Sequence, residues 1–182
     1  MKMLAIVGEI NREKVNKILE EIAELKKQGC PEVVVLISSS GGEVESGFDL
    51  YDLLKLYPGK KIGLVWQQAK SSASFILQAC DVRCATPHAR ILIHHISRRN
   101  ISLDVLRNEK KIKEVILDLE KTQLLMYRVY AARTGKTISQ IRKVCEKEID
   151  MFPEEAKEFG LIDEIWTKHF PWENADVLGK VK

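Results

Sequence analysis

Val33-Val-Val-Leu-Ile-Ser-Ser-Ser-Gly-Gly42 decides how this chain folds. Five apolar, mostly β-branched residues from Val33 to Ile37 form a run with no polar alternation. Such a run predicts a strand buried on both faces, as in a parallel sheet covered by helices. Three serines and a glycine pair then close it. Gly41-Gly42 can turn the chain sharply into a helix, and paired glycines let a ligand approach the backbone N–H groups. The turn is not a phosphate loop, because no Gly-Lys-Ser/Thr follows.

The pattern repeats outward from this stretch. Leu4–Val7 is a short apolar strand, and Val15, Ile18, Leu19, Ile22 and Leu25 then recur at helical spacing up to Gly29. Val44, Phe48, Tyr51 and Leu54 mark a second amphipathic helix, stopped by Pro58-Gly59. Ile62–Trp66 reads as a strand, Ser71–Ala79 as a helix and Ile91–Ile96 as a further strand. Strands and helices alternate at the spacing of right-handed βαβ units, so the fold class is α/β.

Asp104 to Arg133 breaks the rhythm, having no Gly or Pro and a stripe at Val105, Ile112, Val115, Ile116, Leu119 and Met126. One helix of ~30 residues would be ~45 Å long and would protrude or be covered by a partner subunit. Helices follow at Thr137–Glu146 and Glu154–Phe159, then a strand at Leu161–Trp166. The tail with Pro171, Trp172 and Gly179 has no assignment.

The 182 residues suit one domain, and 45% hydrophobic with 30% charged residues is ordinary globular composition. A net charge of +3 gives no reason to expect nucleic acid. The apolar start is stopped by Glu9, too early for a signal peptide, and no stretch is long enough for a membrane span. The 4 cysteines (Cys30, Cys80, Cys84 and Cys145) match no zinc spacing and read as reduced thiols. A cytoplasmic protein without metal or cofactor is expected.

Two further segments carry chemistry. Ser71, in Lys70-Ser-Ser-Ala-Ser74, lies where a strand turns into a helix. A serine there is ordinarily an N-cap, but a nucleophile would gain from the helix N-terminus and from the Ser72 amide. This is not the G-x-S-x-G elbow, because Ala69 and Ala73 stand at its glycine positions. His94 and His95, adjacent in a strand, face opposite sides, so one of them can meet a serine. A third group must orient the imidazole, and Glu146, Glu148 and Asp150 are candidates that spacing does not separate.

Ser-Gly-Gly, a helix, Gln-Ala-x-Ser, then Arg90-Ile-Leu-Ile-His94 and Glu154-Glu-Ala-Lys-Glu-Phe-Gly-Leu-Ile-Asp163 resemble the proteolytic subunit of Clp protease. The resemblance runs from about Leu4 to Trp166. It implies the wound ββα fold shared with crotonases, with a long protruding handle helix at about 103–134 and a head at about 1–100 and 136–170, all one domain over 1–182. It implies Ser71 as nucleophile, His94 as general base, Glu148 in the place of the family's aspartate, and the Gly42 and Ser72 amides as oxyanion hole. The implied activity is serine endopeptidase hydrolysis of peptides or small unfolded proteins inside a homo-oligomeric ring or stacked rings. A catalytically silent ring subunit and a crotonase-type acyl-CoA enzyme are the alternatives.

The chain departs from the family pattern in several places. Family Asn-Ser-Pro-Gly-Gly is Ser38-Ser-Ser-Gly-Gly42, and family Gly-Gln-Ala-Ala-Ser-Met-Gly is Gln67-Gln-Ala-Lys-Ser-Ser-Ala73, which puts Lys70 beside the nucleophile. His95-Ile96 replaces Gln-Pro. Glu148 adds a methylene to the triad acid, which demands a backbone shift of about 1 Å; an uncorrected shift of that size can cost ~100-fold. The family's N-terminal axial loop has no counterpart ahead of the first strand, so a Clp-type ATPase partner is not expected if the chain is complete.

Overall fold

In a computed structural model, described for residues 2–98, 100–167 and 176–177, the run at Val33 becomes β2 (Val33–Ser39), buried along its whole length. Beside it lie β1 (Lys2–Val7) and β3 (Lys61–Lys70), both parallel to it. With β4 (Val82–Ala85), β6 (Glu164–Ile165) and β7 (Asp176–Val177) they form the path β6-β4-β3-β2-β1-β7, and β5 (Arg90–Leu92) joins β3 beside that path. This makes a 7-stranded sheet. The helices are α1 (Arg12–Lys27), α2 (Val44–Leu56), α3 (Ser72–Leu77), α4 (Leu103–Arg107), α5 (Glu109–Thr134), α6 (Ile138–Lys147) and α7 (Pro153–Phe159). The chain is a mixed α/β protein built on a parallel sheet, as the sequence implies. The assignment left open for Pro171, Trp172 and Gly179 falls outside the described residues.

Alternate residues of β2 serve different layers. Val33, Val35 and Ile37 point into the main core with Ile18, Ile22, Leu50, Leu54 and Phe75 of the helices. Burial of side chains of this size is worth about 1.5–3 kcal/mol each. Val34 and Leu36 face the other way, into a smaller cluster with Met3, Leu64 and Cys84, flanked by Ile62, Val82 and Trp166. The strand is thus buried on both faces, but among the described residues the helices pack on one side only. Among the described residues the sheet is not sandwiched between helix layers.

β3 is longer than its apolar run indicates and it bends. Ile37 faces Val65 and Ser39 faces Ala69, so β3 spends more residues than β2 over that interval. The surplus leaves Trp66 57% exposed. Before the bend, Ile62–Val65 pair with β4; after it, Gln68–Lys70 pair with β5. The bend therefore hands the strand from β4 to β5 while Ala69 still pairs with Ser39 of β2, and it delivers Ser71 beside β5. β4 is a strand that the apolar pattern misses, because Arg83 interrupts it. Arg83 is only 4% exposed and is satisfied by Asp163, Gln78 Oε1 and the Gly160 carbonyl. The histidine strand is shorter than Ile91–Ile96: it ends at Leu92, so His94 lies beyond it.

The long arm is two helices rather than one. Asn108 (φ −104°, ψ 109°) is non-helical, and its side chain accepts from the amides of Lys110 and Lys111, capping α5. α5 meets the core near its C-terminal end through Met126, Tyr127 and Tyr130. Gly135, in the left-handed conformation, ends it.

Candidate active site

Ser71 follows the last residue of β3 with φ 54° and ψ −129°. A positive φ at a non-glycine residue costs free energy and persists only where the surroundings enforce it. The enforcement is on both sides of the peptide unit. Its amide donates to the Leu92 carbonyl at 3.0 Å. Its carbonyl accepts from the Ser74 amide at 3.0 Å and from Ser74 Oγ at 2.7 Å. Ser74 Oγ in turn meets the Tyr130 hydroxyl at 2.8 Å, tying the turn to α5. The Ser71 side chain takes no part in this fastening. It makes no capping hydrogen bond to α3, so it is not the N-cap serine that its position would ordinarily suggest.

The glycine pair wraps this turn. Gly41 has φ +100°, and a Cβ there would lie 2.7 Å from Ser71 Cβ and 2.9 Å from the Lys70 carbonyl oxygen. Ser39 Oγ accepts the Gly41 amide at 3.0 Å. Gly42 bridges to Ile10 as in a parallel ladder, with Ile10 N–H donating to Gly41 and Glu43 N–H donating to Ile10. In that ladder pattern the N–H of Gly42 itself points away from Ile10. A Cβ on Gly42 would sit 2.0 Å from the Ile10 oxygen, so no side chain fits. The Ser72 amide, at the first position of α3, is one of the donors a helix leaves unpaired. Both predicted oxyanion donors are therefore without an intramolecular acceptor among the described residues. Gly47 lets α2 approach this point, since a Cβ there would lie 2.8 Å from Ser72 Cβ.

Ser71, Gly42 and His94 line one cleft of about 530 Å³, with Ser40, Glu43 and Thr122 also on its wall. A larger hollow of about 710 Å³ lies along the arm between Arg107 and Leu117 and contains no nucleophile–base pair. His94 Nδ1 is 3.8 Å from Glu148 Oε1. That separation exceeds a hydrogen bond, but it is an ion-pair distance that becomes attractive once the imidazole is protonated. Among the described residues no hydrogen bond joins Ser71 Oγ to the His94 ring. His95 turns to the other side, edge-on to Tyr127 with ring centroids 6.1 Å apart.

The three candidate acids part company here. Glu146 is exposed on α6, and among the described residues the ion pair of His94 is with Glu148. Asp150 is taken: Lys70 Nζ lies 2.7 Å from its Oδ1 and 2.8 Å from its Oδ2. Glu148, the residue after α6, adopts φ 47°, ψ 42°, a second strained non-glycine position, and is the carboxylate left facing His94. Paired hydrogen bonds between Ile91 and Met151, 3.0 and 2.8 Å, hold the same loop against β5.

Burial pushes the Cys80 and Cys145 thiols up to about 12, so neither is a nucleophile at neutral pH. No cluster among the described residues could hold a metal ion, and no helix among them is long and apolar enough to cross a membrane. Ser74, Tyr130 and Gly47 support the site without having been marked in the sequence, and Lys70 and Asp150 were marked singly but not as a pair. A tyrosine and a serine within helices carry no local signal of these contacts.

Comparison with known proteins gives a consistent result. A family model described as Clp protease matches residues 1–169. The chain is 28% identical over 170 residues to "ATP-dependent Clp protease proteolytic subunit 3" of Rhizobium johnstonii, covering 91% of this chain and 84% of that protein. It is 29% identical over 168 residues to "ATP-dependent Clp protease proteolytic subunit" of Pleurastrum terricola, covering 89% and 82%. It is 34% identical over 146 residues to "ATP-dependent Clp protease proteolytic subunit 1" of Protochlamydia amoebophila, covering 78% and 68%.

Proposed function

This chain belongs to the Clp protease family, and from that premise we propose that it is a serine endopeptidase working through Ser71, His94 and Glu148. The observation that carries the proposal is the state of Ser71. Its hydroxyl caps nothing and its backbone is strained, and it opens on the cleft that also holds His94. Glu148 approaches Nδ1 of the imidazole, which leaves Nε2 as the nitrogen for the serine.

The steps follow from these positions. Ser71 Oγ adds to a peptide carbonyl carbon as His94 Nε2 takes its proton. The carbonyl oxygen becomes an oxyanion and is held by the amides of Gly42 and Ser72. Glu148 offsets the charge of the imidazolium. The C–N bond then breaks, the leaving amine takes the proton from His94, and an acyl ester remains on Ser71. Water, deprotonated by His94, hydrolyses that ester by the same path. The substrate binds extended, pairing its backbone near Gly42 and along the segment after His95.

The relatives' names make them subunits of ATP-dependent proteases; for this chain we carry over peptide hydrolysis and assembly into a ring. The arm supports the second part, since Leu103, Leu106, Ile116, Leu117 and Leu125 are exposed along it. A catalytically silent ring subunit is the competing reading, favoured by the 3.8 Å separation of His94 and Glu148. Hydrolysis of a short fluorogenic peptide separates the two. Activity in the wild-type protein that Ser71→Ala abolishes supports the peptidase. Equal rates in the two proteins overturn it.

A further inference from the structure

We propose that Lys70 is a positioning residue: its ion pair with Asp150 ties the serine's strand to the acid's loop and so keeps Glu148 facing His94. This rests on the peptidase reading above. Lys70 ends β3, immediately before Ser71, and pairs across to Leu92 of β5. Its ammonium contacts both oxygens of Asp150, at 2.7 and 2.8 Å. Asp150 lies between Glu148 and Met151 in the loop joining α6 to α7. Met151 is hydrogen-bonded both ways to Ile91, three residues before His94. The loop is thus fastened twice, once to the histidine's strand and once to the serine's.

The fastening has a specific object. Glu148 occupies the left-handed region, which a glutamate leaves readily unless its neighbours hold it. Relaxation of φ there would swing the carboxylate away from Nδ1. Glu148 is itself exposed and shows no other ion pair among the described residues. An alanine at position 70, as in the family pattern, could not make this tie.

The test is a double-mutant cycle on the intact protein, read by kcat and KM on a fluorogenic peptide and by the rate of fluorophosphonate labelling of Ser71. Lys70→Met is expected to lower kcat by ~10-fold or more, in line with the sensitivity of catalysis to small misplacements, with KM changed less than ~2-fold. Lys70→Arg, which keeps the charge, is expected to retain most of kcat. Lys70→Met combined with Asp150→Asn is expected to be no worse than Lys70→Met alone, because the pair acts as one unit. Thermal melting of each variant shows whether it is folded, and Lys70→Arg keeps the test alive if Lys70→Met is not. A kcat for Lys70→Met within ~2-fold of wild type, losses that simply multiply in the double variant, or a Lys70→Arg as poor as Lys70→Met would overturn the inference while Ser71 labelling stands. No labelling of Ser71 in the wild-type protein would instead overturn the peptidase reading, and this inference with it.

Discussion

Ser71 and the glycines around it show how little space the site leaves for error. Gly42 has backbone on the side where a Cβ would point, 2.0 Å from the Ile10 oxygen. Gly42→Ala is therefore expected to cost ~2 kcal/mol or more, a typical penalty for forcing atoms into a packed region, and to remove peptidase activity. Gly8 is the internal control. Unlike Gly42 it has a positive φ, but nothing lies within 4 Å of its Cβ position, so Gly8→Ala should cost only ~1 kcal/mol. Chemical denaturation of both variants checks the difference. Glu148→Gln keeps the shape of the acid and removes its charge, and should lower kcat by ~100-fold or more with little change in KM. The sequence shows the Gly-Gly turn, the serine and the histidine through residue type and order. Residue type leaves Glu148 as one of three candidate acids, and only the family resemblance singles it out, because the backbone twist at that position is not written in residue type. Lys70–Asp150 joins positions 80 apart in the chain, and no local pattern announces it.

At the scale of elements, the bend in β3 is what makes a site. It moves the strand's partner from β4 to β5 and brings the serine turn to the histidine's strand. β4 is kept in place by a buried charge as well as by the burial of Cys84 and Ala85. Arg83 pairs with Asp163 after α7, and the Arg83 amide also donates to Asp163 Oδ2 at 2.8 Å. Burial works to raise the Asp163 carboxyl, but the Arg83 hydrogen bonds and charge outweigh it and hold it below the ordinary carboxylate range. Because its folded pKa is depressed, Asp163 contributes stability above the unfolded value. That contribution is lost as pH falls from about 4 through the lower folded pKa. Asp163→Asn should thus destabilise the protein at pH 7 by ~2 kcal/mol, leaving Arg83 poorly paired, and the gap to wild type should narrow below pH ~4. Thermal melts at pH 7 and pH 3 test this. The same arginine hid β4 from the apolar pattern, whereas β2 was legible as an unbroken apolar run and α1 because its buried Val15, Ile18, Ile22 and Leu25 recur at helical spacing. The arm was legible as helical, but its break at Asn108 was not, since asparagine both caps and occurs within helices. Asn108→Ala should cost ~1 kcal/mol of stability by removing the α5 cap.

For the whole molecule, one face of the sheet packs the helices and the site opens near the root of the arm. The arm's own leucines are unsatisfied in a single chain. In the ring proposed above they are covered by neighbouring subunits, so Leu117→Glu with Leu125→Glu should yield smaller particles by sedimentation velocity while the circular dichroism spectrum is kept. An unchanged sedimentation coefficient would remove the arm from the assembly. The central claim is that Ser71 is a nucleophile activated by His94, and it is most directly measured by mapping a fluorophosphonate adduct by peptide mass analysis. The account predicts one adduct, on Ser71, forming at least ~100-fold more slowly in His94→Ala. No adduct on Ser71, or an equal rate in His94→Ala, would contradict it.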